Sequence, residues 1–87
     1  MTYNLDYAGS CKEDIEKRTR KNSELKRALE RQIAKILANP RQGKPLHSPL
    51  EGKWRVHVLS VFVLTYEISE ETKTVLLKRF THHDEAY

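Results

Sequence analysis

Several residue types that would mark particular protein classes are scarce in this 87-residue chain. It has one cysteine, three glycines and three prolines, and no apolar run long enough to cross a bilayer. The single cysteine, Cys11, cannot form an internal disulfide, which favours a reducing compartment, the cytoplasm. The stretch "MTYNLDYAGS" lacks a basic region followed by an apolar core, so we expect no secretory signal.

Length and charge narrow the remaining classes. One domain over residues 1–87 is expected, and a chain of this length has room for only a small core. The formal net charge is +4, and the segment from Lys12 to Lys35 holds nine basic residues against five acidic ones. This balance favours an anionic partner such as a nucleic acid.

The first half of the chain predicts one strand and two helices. Apolar and polar residues alternate in "TYNLDYA", as in a half-buried strand. Ser10 and Glu13 have the spacing of a capping box, which predicts a helix over about 11–21. A second helix, capped by Ser23 and ending at Asn39-Pro40, follows at once. Its apolar positions recur at helical spacing: Leu25, Leu29, Ile33, Ile36 and Leu37.

The second half predicts a loop and three strands. The segment "PRQGKPLHSPLEGK" holds all three prolines and two of the three glycines, as loops do. "WRVHVLSVFVLTYEIS" reads as two strands with a tight turn near Leu59-Ser60, and "KTVLLKRF" as a third. The predicted fold class is therefore α+β, with an N-terminal strand and a helical hairpin packed on a small antiparallel sheet. The other sheet face is left partly open.

Charged and titratable side chains are predicted on this open face. If Trp54, Val56 and Val58 face the helices as core residues, Arg55 and His57 face outward. The same alternation puts Lys78 and Arg79 on opposite faces of the last strand. All four histidines follow residue 46, so at least three can converge on this face.

Clustered histidines suit RNA cleavage, because one imidazole can accept a proton while another donates one. The 2′-hydroxyl must lose a proton, the departing 5′-oxygen must gain one, and a cation stabilises the charge on the phosphate. Rings such as Tyr87 or Phe62 can stack on an exposed base. This chemistry needs neither a metal nor another cofactor.

Other interpretations of the same residues stay open at this point. The histidines can be ordinary surface residues, and Cys11 can be a small residue at a helix start. "HHDE" at 82–85 offers metal-ligating side chains, but neighbours on an extended segment point in opposite directions and cannot all reach one ion. We therefore predict no metal site.

Several motifs resemble the RelE/ParE superfamily of type II toxins over nearly the whole chain. They are "ILANPRQGKPLHSPLEGKWRVHV", "TYEIS", "KTVLLKRF" and the closing "HHDEAY". The resemblance implies the fold predicted above. RelE-type members cut messenger RNA in the ribosomal A site, ParE-type members inhibit DNA gyrase, and a cognate antitoxin silences either. The resemblance also implies that the toxin–antitoxin complex binds its operator DNA through the antitoxin.

The resemblance assigns roles to particular residues. Cutting members usually carry an arginine where Val63 stands here, and another where His57 stands. The YafQ-like branch uses histidines instead, which implies His47, His57 and His83 as catalytic residues, with His82 as the alternative to His83. Tyr87 is implied as a base contact. The residues implied as phosphate contacts are Arg55, Lys44, Lys53 and Arg79.

Two competing functions remain beside ribosome-dependent mRNA cleavage. The missing cation at Val63 favours a gyrase-directed inhibitor of the same fold, whereas the C-terminal histidines favour a nuclease. A third candidate is a degenerate toxin that only binds its antitoxin. None of these functions involves a membrane.

Overall fold

The computed structural model describes residues 2–46 and 52–82 as two helices and five strands. The elements in chain order are β1 Asn4–Tyr7, α1 Cys11–Thr19, α2 Ser23–Ala38, a 3-10 turn Pro40–Gln42, β2 Lys44–Pro45, β3 Lys53–Val58, β4 Phe62–Ser69 and β5 Thr74–His82. In these described ranges, neither helix is both long enough and apolar enough to cross a membrane.

The five strands form one mixed sheet in the order β1-β5-β4-β3-β2. The predicted antiparallel meander of β3, β4 and β5 is confirmed. The predicted N-terminal strand is also confirmed, and it joins the meander by pairing in parallel with β5, a partner that the sequence did not specify. A parallel pair needs a long crossover connection, and here the two helices and the rest of the sheet lie between the paired strands.

A short edge strand lies within the segment predicted as loop. Lys44 and Pro45 of β2 pair with Arg55 and Trp54 of β3. A proline has no backbone N–H, so it fits only a strand with a free edge. Because proline and glycine dominate this segment, the sequence predicted a loop and gave no indication of the strand.

The helix starts differ in detail from the predictions. Ser10 precedes α1, but its side chain makes no cap hydrogen bond, and its hydroxyl instead lies 3.4 Å from the Asp14 carboxylate. The predicted capping box is therefore not formed. The cap of α2 is Asn22 rather than Ser23, since the Asn22 side chain accepts a 3.1 Å hydrogen bond from the Leu25 amide. The predicted end of α2 before Pro40 is confirmed.

The core lies between the helices and one face of the sheet. Its fully buried side chains come from both helices and from β3, β4 and β5: Cys11, Leu25, Leu29, Ile36, Val58, Leu64, Tyr66, Val75, Leu77 and Phe80. Trp54 and Val56 pack partly buried against this cluster, as the alternation along β3 predicts. The helices therefore cover one face and leave the other open.

Two of the sequence motifs meet inside the fold. The Tyr66 hydroxyl donates a 2.6 Å hydrogen bond to the Pro40 carbonyl, and burial raises the pKa of Tyr66. A Cβ on Gly43 would lie 2.5 Å from the Tyr66 hydroxyl and 2.7 Å from the Arg55 carbonyl oxygen, so the close approach requires glycine. This contact holds the start of β2 against the sheet.

Candidate nucleic-acid interface

The strand registers define which side chains share the sheet face opposite the helices. Cross-strand partners lie on the same face because side chains alternate along each strand. Val56 pairs with the core residue Leu64, whereas His57 pairs with Val63. We call the face of His57 the open face. Its described residues are Asn4, Asp6, Lys44, Lys53, Arg55, His57, Val63, Thr65, Glu67, Ser69, Thr74, Leu76, Lys78, Arg79 and Thr81.

A row of three cations crosses the open face. Lys44 pairs with Arg55, Arg55 with Thr65, and Thr65 with Arg79. We call these four residues the cationic row. Neighbouring strands lie about 4.8 Å apart, so Arg55 and Arg79 flank Thr65 at roughly 10 Å from each other. The row can bind phosphate groups between its members.

His57 lies in the next row along the strands. It pairs with Val63, and Val63 pairs with Thr81 of β5. His57 is exposed, while Val63 is fully buried. Besides the pairing of β3, a contact from α2 holds the backbone of His57. The Gln32 side chain donates a 2.8 Å hydrogen bond to the His57 carbonyl. This bond fixes the backbone of His57 and leaves its ring on the open face.

A β-bulge corrects the prediction for Lys78 and Arg79. The register between β4 and β5 shifts at Thr65/Tyr66, so that Thr65 pairs with Arg79 and Tyr66 with Leu77. Lys78 is the extra residue, and its ammonium nitrogen lies 3.7 Å from the open-face residue Glu67. Both basic side chains therefore lie on the open face, and their predicted placement on opposite faces is wrong.

The Glu67 carboxylate lies among the cations of this face. The Glu67 Oε1 atom is 3.6 Å from the Lys53 ammonium and 3.7 Å from the Lys78 ammonium. These distances exceed the 2.7–2.9 Å or so of a strong charge-assisted hydrogen bond, so both pairs are loose. All three side chains are 31% exposed, which leaves the lysines accessible from solution.

Phe62 and His82 lie on the other face of the sheet. Phe62 pairs with Val58 and His82, on the side where Val58 joins the core. The Phe62 ring stacks on Phe80 at 5.3 Å between centroids and meets the His82 ring edge-on at 5.5 Å. Phe62 therefore lies on the face opposite His57. His82 likewise does not lie with His57.

The remaining predicted residues fall partly outside the described ranges. His47, His83 and Tyr87 lie outside them. Cys11 lies in the core, and burial, reinforced by the nearby Asp14 carboxylate, raises the pKa of its thiol to about 11. It is a packing residue, not an activated nucleophile. Within residues 2–46 and 52–82, the side chains form no cluster that could hold a metal ion.

The sequence reading missed two open-face residues. Lys78 was predicted to lie on the opposite face from Arg79, although the apolar spacing in "TVLLKRF" indicates a β-bulge. Val75 and Leu77 are two residues apart, but the next core residue, Phe80, follows after three. Such a break in period two is typical of a bulge. Glu67 belongs to the "TYEIS" motif, and nothing in that motif alone indicates its contact with Lys53 and Lys78.

A groove lies on the other side of the molecule, along the helices. Its apolar lining comes from Tyr7, Ile15, Leu29 and Ile33, and its rim carries charged residues of both signs. The open face therefore differs from this groove in character, since most of its described side chains are polar or charged and basic residues predominate.

Comparison with known proteins places the chain among bacterial and archaeal toxins. The family described as "ParE toxin of type II toxin-antitoxin system, parDE" matches residues 6–87. A protein of Methanocaldococcus jannaschii that carries the name RelE4 is 31% identical over 85 residues, covering 98% of this chain and 90% of that protein.

Two solved structures have the same fold. The RelBE2 toxin–antitoxin complex of Mycobacterium tuberculosis contains a chain with a TM-score of 0.78 and 24% identity, covering 95% of this chain and 100% of that one. The YoeB/ParE toxin of Agrobacterium tumefaciens has a TM-score of 0.83 and 18% identity, covering 92% and 98%. At these identities the likeness establishes the architecture.

Proposed function

Because this chain belongs to the ParE toxin family of type II toxin–antitoxin systems, within the RelE/ParE superfamily, we propose that it is a ribosome-dependent mRNA endoribonuclease. The observation that carries the proposal is the placement of His57 beside the cationic row on one open sheet face. An imidazole next to several phosphate-binding cations is what metal-independent RNA cleavage requires.

The proposed reaction is an internal attack within the RNA. A base removes the proton of a ribose 2′-hydroxyl, and the oxygen bonds to the adjacent phosphorus. The bond from phosphorus to the 5′-oxygen breaks, and an acid protonates that oxygen as it leaves. The 5′ fragment then ends in a 2′,3′-cyclic phosphate. We assign the two proton transfers to His57 and His83, because an imidazole can act as either the general base or the general acid.

The cationic row supplies the electrostatic part of the mechanism. Arg55 and Arg79 present guanidinium groups, which form paired hydrogen bonds to phosphate oxygens. Lys44 and Lys53 add charge on either side of Arg55. These cations hold the strand and stabilise the extra negative charge that develops on the phosphorus.

The other predicted residues take supporting roles in this proposal. Tyr87 stacks on a base next to the cut, a contact that tolerates any sequence. His47, from the segment before β3, is a third histidine available to the site. Cleavage then depends on the ribosome presenting the codon, and the basic helices contact ribosomal RNA through salt-sensitive phosphate contacts.

A cognate antitoxin is the proposed cellular partner. The Mycobacterium tuberculosis relative was solved as a toxin–antitoxin complex. In this chain, the groove lined by Ile15, Leu29 and Ile33 provides an apolar surface that an antitoxin segment can bind. A bound antitoxin would silence the toxin by covering or displacing the basic site, and the complex would bind its operator through the antitoxin.

Controlled expression without antitoxin tests the proposal. Primer extension on an abundant messenger RNA should show discrete cuts in translated regions for the parent. The cuts should vanish for His83→Ala and for the His57→Ala, His83→Ala double variant. His82→Ala is the matched comparison, since it removes a neighbouring imidazole from the face opposite His57. Growth arrest by a folded double variant, as strong as by the parent, would refute the nuclease.

A second candidate is a gyrase-directed inhibitor. The observation that favours it is Val63, an apolar residue at the place between His57 and Thr81 where a cutting member would carry a cation. Gyrase poisoning induces DNA damage before protein synthesis falls, whereas mRNA cleavage stops translation first. If expression without antitoxin is harmless, the chain is instead a degenerate toxin that only binds its antitoxin.

A further inference from the structure

We infer that Lys78 and Lys53 form a second phosphate-binding position on the open face, next to the cationic row, and that the β-bulge in β5 creates it. The inference rests on the proposed function, since it extends the path of the same RNA strand. It adds Lys78 to the substrate-binding residues and specifies the axis of the sheet along which the RNA strand runs.

The bulge is what brings Lys78 to this face. In β5 the core side chains are Val75, Leu77 and Phe80. Two consecutive residues, Lys78 and Arg79, therefore lie between Leu77 and Phe80. In a regular strand only one of these two could share the open face. Here Lys78 reaches Glu67 while Arg79 pairs with Thr65, so both point away from the helices. The extra residue thus adds a cation to the open face without removing one from it.

Glu67 holds the two lysines at one level of the sheet. Lys53 and Lys78 come from the strands on either side of β4, and both approach the same oxygen of Glu67. Ion pairs this loose and this exposed contribute little to stability. An RNA phosphate can therefore replace Glu67 as the partner of either lysine. Two ammonium groups contact one carboxylate here, while the next carboxylate at this level, Asp6, lies on β1 beyond β5. The two lysines therefore outnumber the acid that they contact.

The open face then carries three levels along the direction of β3 and β4. The first holds His57, the second is the cationic row, and the third holds Lys53 and Lys78. Successive levels are two residues apart, which is about 7 Å at the rise of a β-strand. This repeat matches the separation of successive phosphates in an extended nucleic-acid strand. The RNA backbone therefore runs parallel to β3 and β4, with the scissile phosphate at the level of His57.

Binding of a non-cleavable RNA tests this position in the purified full chain. The probe is a short single strand in which every ribose carries a 2′-O-methyl group, so that the attacking hydroxyl is blocked. Affinity is measured over a range of salt concentrations. For Lys78→Ala we expect weaker binding, and a slope of log K against log salt that is smaller by about 0.7, the value for one lost phosphate contact.

Two controls separate phosphate binding from a structural role. Lys35→Ala removes the same charge from the exposed side of α2, on the far side of the sheet from the open face. The probe is a free short strand without a ribosome, so the proposed helix contacts to ribosomal RNA do not enter, and the slope should be nearly unchanged. Glu67→Gln breaks the same ion pair as Lys78→Ala but removes negative charge, so it should tighten binding. Lys78→Arg should restore the parent's slope. A slope for Lys78→Ala equal to that for Lys35→Ala, or weaker binding in Glu67→Gln, would overturn the inference.

The outcome is independent of the cleavage assay. A reduced slope in Lys78→Ala together with an absence of ribosome-dependent cuts in the parent would support the phosphate position and reject the nuclease. Cuts that depend on His83, together with an unchanged slope, would support the nuclease and reject the role of Lys78.

Discussion

The hydroxyl of Tyr66 on β4 donates a hydrogen bond to the carbonyl of Pro40, with 2.6 Å between the two oxygens. Both residues belong to motifs that identify the superfamily in the sequence, "TYEIS" and "NPRQGKPL". Their contact is buried and lies on the face of the sheet that the helices cover. These motif residues therefore maintain the fold, while the proposed chemistry depends on residues of the open face.

Loss of the Tyr66 hydroxyl should destabilise the protein. In Tyr66→Phe the buried Pro40 carbonyl loses its partner, and an unsatisfied buried acceptor costs about 1–3 kcal/mol of unfolding free energy. The loss is measured as the decrease in the free energy of unfolding by denaturant, and the m-value should not change. Tyr7→Phe, which removes the same atom from a half-buried ring, is the control. A loss in Tyr66→Phe no larger than in this control would contradict the prediction.

Gly43→Ala should be destabilising for a steric reason. The new methyl would lie 2.5 Å from the Tyr66 hydroxyl and 2.7 Å from the backbone oxygen of Arg55, which cannot yield as a flexible side chain does. Overpacking of this kind costs about 1–3 kcal/mol. In a double-mutant cycle, Tyr66→Phe should relieve only part of this cost, because the contact with the Arg55 oxygen remains. Strict additivity of the two free-energy changes would argue against the contact.

An ion network around Glu70 should make stability fall in acid. Hydrogen bonds from Lys73 and Tyr3, with further contributions from Arg41, lower the pKa of Glu70 from 4.5 to about 2. A lowered carboxyl pKa means that the network stabilises the fold above about pH 4.5 and loses this contribution as pH falls towards 2.

The pH dependence can be measured as the difference in melting temperature between the parent and Glu70→Gln. The difference should be largest above pH 4.5 and shrink towards pH 2. Glu71→Gln, which alters the neighbouring exposed carboxylate, serves as the control. A difference that is constant across this range would show that Glu70 ionises normally in the folded protein.

Cys11 should be inert in the folded protein. Its thiol is 1% exposed, and burial raises its pKa to about 11, so very little thiolate exists near neutral pH. We expect labelling by a thiol reagent at about pH 8 to be limited by unfolding, and Cys11→Ala to keep any cleavage activity. Rapid stoichiometric labelling of the folded chain would contradict this placement.

Local patterns along the chain predicted most of the fold. The alternation of Trp54, Val56 and Val58 gave the correct faces of β3, and the periodicity of α2 gave its buried side. These patterns succeed because burial repeats at the period of the element. The choice of Asn22 over Ser23 as the cap of α2 was beyond them, since both side chains can accept the same hydrogen bond.

Features that depend on how the strands pair were not predicted. The parallel partner of β1 lies at the far end of the described chain, and the edge strand at Lys44 and the bulge at Lys78 arise from the registers of β2 with β3 and of β4 with β5. The site suffered most from this limit. Lys78 shares a face with Arg79 instead of lying opposite it, while Arg55 and His57 lie as predicted.

The most direct measurement of the proposed activity is the cleavage of a defined messenger RNA on purified ribosomes, followed by analysis of the fragment ends. For the parent we predict cuts at the ribosome position and 5′ fragments that end in a 2′,3′-cyclic phosphate. His57→Ala and His83→Ala should each lower the rate by about 100-fold or more, as expected for loss of a general acid or base. Intact messenger RNA with the folded parent, or equal cleavage by the double variant, would contradict an open-face nuclease.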